Sequence, residues 1–142
     1  LNRAAWDGRV ASLMADPRYH GAPMTVAVID LDNFKSYNDT RGHTAGDALL
    51  KRFAAAAGAA LRYDDVLARW GGEEFLIAMP DTTPGQAHQL LERLCRCVPF
   101  GQTCSVGYTV HDWSETLTET VMRADRALYQ AKSRGRNQLF LL

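Results

Sequence analysis

Apolar and polar positions along the chain fall into two rhythms, and the switches between them predict the elements. Ala4 to Ala15 reads as a helix, ended by Asp16-Pro17. Met24 to Ile29 (MTVAVI) is apolar on both faces and rich in β-branched residues, the pattern of a central buried strand. Asp30-Leu31-Asp32 then leads into a short helical stretch through Asn38, followed by a polar loop from Thr40 to Gly46. A longer helix is expected from Asp47, with Leu49, Leu50, Phe53, Ala57 and Leu61 along one side. Val66 to Trp70 and Phe75 to Met79 read as two short strands joined by Gly71-Gly72-Glu73-Glu74, whose glycines supply the positive φ angles of a tight hairpin.

Thr83-Pro84 opens the next helix in the preferred cap-then-proline order, and Ala87, Leu90, Leu91, Leu94 and Val98 repeat at three and four. Thr103 to Val110 is a strand. Thr116-x-x-Glu119 is a capping-box pattern before a helix with Leu117, Val121, Ala124, Leu128 and Ala131 facing inward. Gly135 stops that helix and Gln138 to Leu142 returns as a strand. After the leading helix the order is β-α-α-β-β-α-β-α-β. Within it lies β-α-β-β-α-β, the ferredoxin-like split unit of an α+β fold, with an antiparallel sheet and helices on one face. A chain of 142 residues is enough for one such domain.

Charge changes this picture more than composition does. Sixteen Lys and Arg balance sixteen Asp and Glu, so the formal net charge is zero, which argues against a non-specific binder of nucleic-acid polymers or membrane surfaces. The balance hides an uneven distribution. Residues 30–81 carry nine acids against six bases, while 123–142 carry five bases against one acid. An acidic centre and a basic tail either face each other or hold something between them. The longest apolar run, Phe53 to Leu61, is nine residues, and a spanning helix needs roughly 20. Leu1-Asn2-Arg3 shows neither a start Met nor a signal peptide, so the sequence reads as a piece of a longer chain. Cys95, Cys97 and Cys104 are odd in number and bunched, which predicts no disulfide framework and a reducing compartment. The four histidines are scattered and supply no zinc-type spacing.

Three clusters carry candidate chemistry. Asp30 and Asp32 end a buried strand, and strand periodicity puts both carboxylates on one face. They either hold a hard cation such as Mg²⁺ or cap the following helix. The glycines before Glu73 and Glu74 strip the turn of side chains and let a ligand approach the backbone; the alternative is a solvated acidic turn. Lys132, Arg134 and Arg136 form a cationic helix end, stabilised by the helix dipole or serving as a phosphate clamp. Together, carboxylates and a basic terminus describe a Mg²⁺–nucleotide site.

Arg69-Trp70-Gly71-Gly72-Glu73-Glu74-Phe75 resembles the signature of the GGDEF-domain diguanylate cyclases in its GGEEF form. Asp30-Leu31-Asp32-Asn33-Phe34-Lys35-x-x-Asn38-Asp39-x-x-Gly42-His43-x-x-Gly46-Asp47 resembles the family's first conserved stretch, and Ala124-Asp125 through Gly135-Arg136-Asn137 its last. The resemblance implies a palm-type core whose mostly antiparallel central sheet is surrounded by helices, and a single catalytic domain over residues 1–142 of a sensor-linked protein. It implies synthesis of cyclic di-GMP from two GTP with release of two pyrophosphates, in a homodimer where each domain holds one GTP. By the same resemblance, Asp30, the Leu31 carbonyl and Glu73 bind Mg²⁺, with Mn²⁺ as a substitute. Glu73 is also the base toward the ribose 3′-hydroxyl, Glu74 is an accessory acid, and Asp32 is demoted from the metal set. Asn38 and Asp47, with His43 nearby, read guanine; a carboxylate can accept both N1–H and N2–H of guanine, which adenine cannot offer. Asn33, Phe34 and Lys35 cradle phosphates through their N–H groups, with Lys132 and Arg136 as the phosphate-binding pair.

Arg62-x-x-Asp65, ending shortly before Gly71, resembles the family's inhibitory product site, and Arg93 matches its secondary arginine. An exposed Arg and Asp three apart also commonly pair loosely in solvent. The resemblance places the domain in the cytoplasm, with a parent protein that is free or membrane-anchored, and this fragment makes no membrane contact. Two other readings compete: a binding module that senses cyclic di-GMP without making it, and a polymerase-palm or nucleotidyl-cyclase relative acting on other nucleotides. The intact Asp30, Asp47 and Glu73 favour the enzyme over the first. The hairpin favours it over the second.

Overall fold

A computed structural model describes all 142 residues. Helix α1 (Arg3–Ala15) is capped by the Asn2 side chain, which accepts from the Ala5 N–H at 2.8 Å. Strand β1 (Thr25–Leu31) is buried at every position, as its two-faced apolar pattern predicts, and runs two residues further than expected to include Asp30 and Leu31. Helices α2 (Phe34–Arg41) and α3 (His43–Ala60) follow.

The loop expected over residues 40–46 is reduced to Gly42, which stands alone between the two helices with φ +89° and ψ 161°. A β-carbon is disfavoured in that backbone conformation, so glycine permits the chain to restart a helix at once. The polar residues read as a loop are the last turn of α2 and the first turn of α3.

Strands β2 (Val66–Gly71) and β3 (Glu74–Met79) form the hairpin, with a bulge between Arg69 and Gly71, and Gly72-Glu73 at its tip. Helices α4 (Pro84–Arg96) and α5 (Leu117–Ser133) both start with complete capping boxes, Thr83 with Gln86 and Thr116 with Glu119. Strand β4 (Cys104–Val110) lies between them in sequence, and β5 (Leu139–Leu141) ends the chain.

The five strands are ordered β2-β3-β1-β4-β5. All pairings are antiparallel except β4 with β5, which is parallel. The sheet is therefore the mostly antiparallel palm-type core.

The expectation of helices on one face holds only for the split unit itself. Ala27, Ile29 and Leu31 of β1 pack with residues of α2, α3 and α4 on one side. Val26 and Val28 face Trp6 and Val10 of α1 and Val121, Ala124 and Leu128 of α5 on the other. A sheet with both faces apolar must be covered twice, and the helices outside the split unit supply the second layer. On the first side Phe53 meets Phe75 edge-on, with ring centroids 5.2 Å apart and planes at 72°, a geometry that adds about 1 kcal/mol to their burial. No helix is long and apolar enough to cross a membrane.

Candidate functional site

β1 runs through the middle of the sheet and delivers Asp30 and Leu31 at its end, where the β2–β3 hairpin also turns. Asp30 pairs in register with Glu74 across β1 and β3, and the Leu31 N–H donates to the Glu73 carbonyl at 3.3 Å. Helix α5 packs on the same side of the sheet as the Asp30 side chain, and Lys132 Nζ donates to Asp30 Oδ2 at 2.5 Å. A cleft of about 180 Å³ at this end is lined by Asp30, Leu31, Asp32, Asn33, Phe34, Lys35, Glu73, Lys132 and Arg136. The structure thus gathers into one cavity the residues expected to hold the metal and the phosphates.

The electrostatics of this cleft are tense. Burial pushes the Asp30 carboxyl up, the Lys132 ammonium works against that, and the charges of Glu73 and Asp32 add to the rise. Glu74 is likewise pushed up, first by burial and then by Asp30 and Asp125. Glu74 does not line the cleft; it shares the α5 side of the sheet with Asp30. No three acidic, His or Cys side chains stand close enough to form a metal cage by themselves. Mg²⁺ rarely uses such cages and is held by one or two carboxylates together with substrate phosphates. Two carboxylates, a main-chain carbonyl and nearby phosphate-binding cations are a donor set of that kind, so the residues present fit Mg²⁺ or Mn²⁺.

Asp32 is fully occupied elsewhere. Its carboxylate accepts from Thr103 Oγ1 at 2.6 Å, Ser105 Oγ at 2.6 Å and the Asn137 N–H at 3.0 Å, while its own N–H donates to the Thr103 carbonyl at 2.9 Å. It ties the end of β1 to β4 and to the turn after α5. Three of the five non-glycine residues with positive φ, namely Asn33, Arg136 and Asn137, surround this tie. Left-handed backbone of this sort persists only where its surroundings enforce it. Thr103 and Ser105 were legible as hydroxyls two apart on one strand face, but nothing local linked them to Asp32. Asn33 caps α2 without a side-chain hydrogen bond, which leaves the first N–H groups of that helix open at the cleft.

Asn38, His43 and Asp47 lie outside this cleft, on α2 and α3. The Asn38 Nδ2 is 3.1 Å from His43 Nδ1, and the Asn38 Oδ1 is buried without a partner. Asp47 is exposed and lines a separate cavity of about 370 Å³ with Leu50, Leu67 and Phe75 among its walls. Within the hairpin, Arg69 Nε donates to the Gly72 carbonyl at 2.8 Å, and the Arg69 N–H donates to the Leu1 carbonyl at 3.1 Å. Neither role was read from the sequence, where Arg69 was only part of a motif.

Arg62, Asp65 and Arg93 form a third locus. The Asp65 side chain is 0% exposed, accepts from the Arg62 N–H at 2.8 Å and pairs with its guanidinium at 3.2 Å. Arg62 also donates to the Pro80 carbonyl at 2.9 Å and bonds Thr82. Its exposed side and Arg93 line a pocket of about 160 Å³ with Gln86 and Gln89. The pair is therefore a built, buried-anchored one and not a loose solvent contact.

Comparison with known proteins agrees with this arrangement. A family model described as "Diguanylate cyclase, GGDEF domain" matches residues 1–138. The chain is 40% identical to the diguanylate cyclase DgcP of Pseudomonas aeruginosa over 97% of its own length and 22% of the relative's. It is 36% identical to the response regulator PleD of Caulobacter vibrioides over 96% of its length and 33% of the relative's. It thus spans between a fifth and a third of these curated relatives. The crystal structure of the GGDEF domain of DgcB from Caulobacter crescentus in complex with c-di-GMP superposes with a TM-score of 0.91 at 30% identity, covering 99% of this chain and 90% of that one. With the hairpin glycines and acids at the end of a palm-type sheet and this match over nearly every residue, the chain belongs to the diguanylate cyclase GGDEF domain family.

Proposed function

We propose that the chain is a single catalytic domain that condenses two GTP into cyclic di-GMP and two pyrophosphates. The observation that carries this reading is the cleft that combines Asp30, Leu31 and Glu73 with Lys132, Arg136 and the open N-terminus of α2. Oxygen donors on one wall and cations on the other complement a nucleoside triphosphate bound with a divalent metal.

In this mechanism Lys132 and Arg136 hold the β- and γ-phosphates, with the N–H groups of Asn33, Phe34 and Lys35 beside them. Asp30, the Leu31 carbonyl and Glu73 would hold Mg²⁺, which would neutralise phosphate charge and polarise the α-phosphate. Asn38 and Asp47 read the guanine edge, with His43 setting the Asn38 amide. Glu73 accepts the proton of the ribose 3′-hydroxyl, and Glu74 is an accessory acid at the neighbouring strand position. The 3′-oxygen forms a bond to the α-phosphorus of the GTP held by a facing second domain. The bond from that phosphorus to the bridging oxygen breaks, and pyrophosphate leaves with its electron pair. The same event in the opposite sense closes the ring, so a homodimer is required.

Arg62, Asp65 and Arg93 take cyclic di-GMP as an inhibitor. GTP as the substrate puts the domain in the cytoplasm. The reading is tested by incubating an enforced dimer with GTP and Mg²⁺ and resolving the products by chromatography. Cyclic di-GMP is the expected product, and Glu73→Gln abolishes it while GTP still binds. Binding of cyclic di-GMP with no product at any dimer concentration favours the sensing module.

A further inference from the structure

Cys95 and Cys104 are nine residues apart in sequence, on α4 and β4, and their sulfurs are 3.3 Å apart as free thiols. Two sulfurs in plain van der Waals contact sit farther apart than this, so little movement separates the pair from bond formation. Cys104 is fully buried, whereas Cys95 on α4 is partly buried and is the more accessible of the two. The Cys104 S–H donates to the Cys95 sulfur. The partly exposed sulfur is thus placed to meet the oxidant and the buried one to resolve.

The position gives the pair something to act on. Cys104 stands opposite Leu31 in the β1–β4 register and between Thr103 and Ser105, the two hydroxyls that grip Asp32. A bond from α4 to Cys104 therefore fastens the segment that supports the end of β1.

We propose that Cys95 and Cys104 form a reversible dithiol–disulfide site that responds to a hydroperoxide. The Cys95 thiolate attacks the distal oxygen of the peroxide, the O–O bond breaks, and water or an alcohol leaves after taking a proton. Cys95 is then a sulfenic acid, oxidised by two electrons. The Cys104 sulfur attacks the Cys95 sulfur, the S–O bond breaks, hydroxide leaves and takes the Cys104 proton as water, and the disulfide remains. In a reducing compartment such a bond is transient, and a dithiol reductant returns both thiols.

The test treats the whole chain with hydrogen peroxide and reads intact mass, alkylatable thiols and tryptic peptides. The expected result is a loss of two hydrogens, a fall from three free thiols to one, a Cys95–Cys104 peptide, and reversal by dithiothreitol. In Cys104→Ala the reaction stops at a sulfenic acid on Cys95, trapped by dimedone. In Cys95→Ser, a change at the partly buried partner that keeps the fold, Cys104 stays reduced. A protein that keeps all three thiols under excess peroxide, or whose only oxidation is at the exposed Cys97, overturns the proposal. So does a disulfide that includes Cys97.

Discussion

Lys132 Nζ lies 2.5 Å from Asp30 Oδ2 and joins residues 102 positions apart in sequence. The lysine expected to hold phosphate thus pairs with the carboxylate expected to hold metal. Both partners must change allegiance when a metal–nucleotide complex enters. Charge is thus supplied to this part of the site in balanced form.

That exchange predicts opposite effects of one substitution on two ligands. Lys132→Met should weaken GTP binding by at least about tenfold, because a charge-assisted phosphate contact is worth roughly 1.5–3 kcal/mol. Mn²⁺ alone should bind about fivefold more tightly, since the competing ammonium is gone and an ion pair whose lysine is 34% exposed is worth about 1 kcal/mol. Fluorescent-nucleotide titration and Mn²⁺ paramagnetic resonance read the two affinities. A parallel loss of both would show that Lys132 only supports the fold.

Gly46 is set against Asn38 so closely that an added β-carbon would meet the Asn38 Oδ1 at 1.9 Å and Phe34 Cζ at 3.2 Å. Gly46→Ala must push the Asn38 side chain off α3 and disturb its contact with His43. Overpacking of this kind costs about 1–3 kcal/mol. The melting temperature should fall by several degrees, and KM for GTP should rise more than kcat falls. A variant with unchanged KM would remove Asn38 from base reading.

Asp32 and Asp30 separate by their partners, not by their spacing. Asp32→Ala leaves two hydroxyls and an N–H without their acceptor and should cost about 3 kcal/mol, read by urea denaturation without any ligand. Asp30→Asn should cost far less stability, because it removes a buried charge, and should instead abolish turnover. A Mg²⁺ requirement left intact in Asp30→Asn would exclude it as a ligand.

The fold was legible where the sequence carried redundant signals: two capping boxes, a doubly apolar strand and a Gly-Gly turn. It was less legible where composition and geometry disagree. Thr40 to Gly46 is polar and contains glycine, as loops are, yet its backbone is helical on both sides of Gly42. Helical periodicity marks α5 as amphipathic but does not say which face of the sheet it covers, and α1 carries no clear apolar stripe. The site was legible as types of residue on two strand ends and a helix end. Asp32 shows the limit. Strand alternation gave its face correctly, but its acceptors' partners lie 71 and 73 residues away, and no local pattern encodes them.

Glu115 controls acid stability away from the site. Both its carboxylate oxygens accept from Arg123, at 2.6 and 2.7 Å, and this pairing holds its carboxyl at about 2, well below the usual 4.5. A depressed folded-state value means that the unfolded chain takes up the proton first. The stabilisation is therefore complete above about pH 4.5 and is lost as the pH falls toward 2. Glu115→Gln should lower stability at pH 7 and flatten the dependence between those limits, measured by urea midpoints at pH 7, 4 and 3. An unaltered acid slope would mean that Arg123 is satisfied by Thr109 and Val110 alone.

Arg93 offers the cleaner test of the product site. Arg62→Ala would strand the fully buried Asp65 carboxylate and free the Pro80 carbonyl, so lost binding could come from lost structure. Arg93 has no hydrogen bond or ion pair of its own and faces Arg62 across a small pocket. Arg62 is already paired with Asp65, whereas Arg93 has no anionic partner, so a dianionic cyclic dinucleotide would gain its attraction chiefly from Arg93. Arg93→Ala should therefore leave the melting temperature unchanged within about a degree. It should weaken cyclic di-GMP binding about tenfold, the value of one charge-assisted contact. Calorimetry at two salt concentrations separates the outcomes: a real phosphate contact makes the wild type more salt-sensitive than the variant. Equal affinity and equal salt dependence would leave Arg62 and Asp65 as a structural pair that pins the start of β2 to the end of β3.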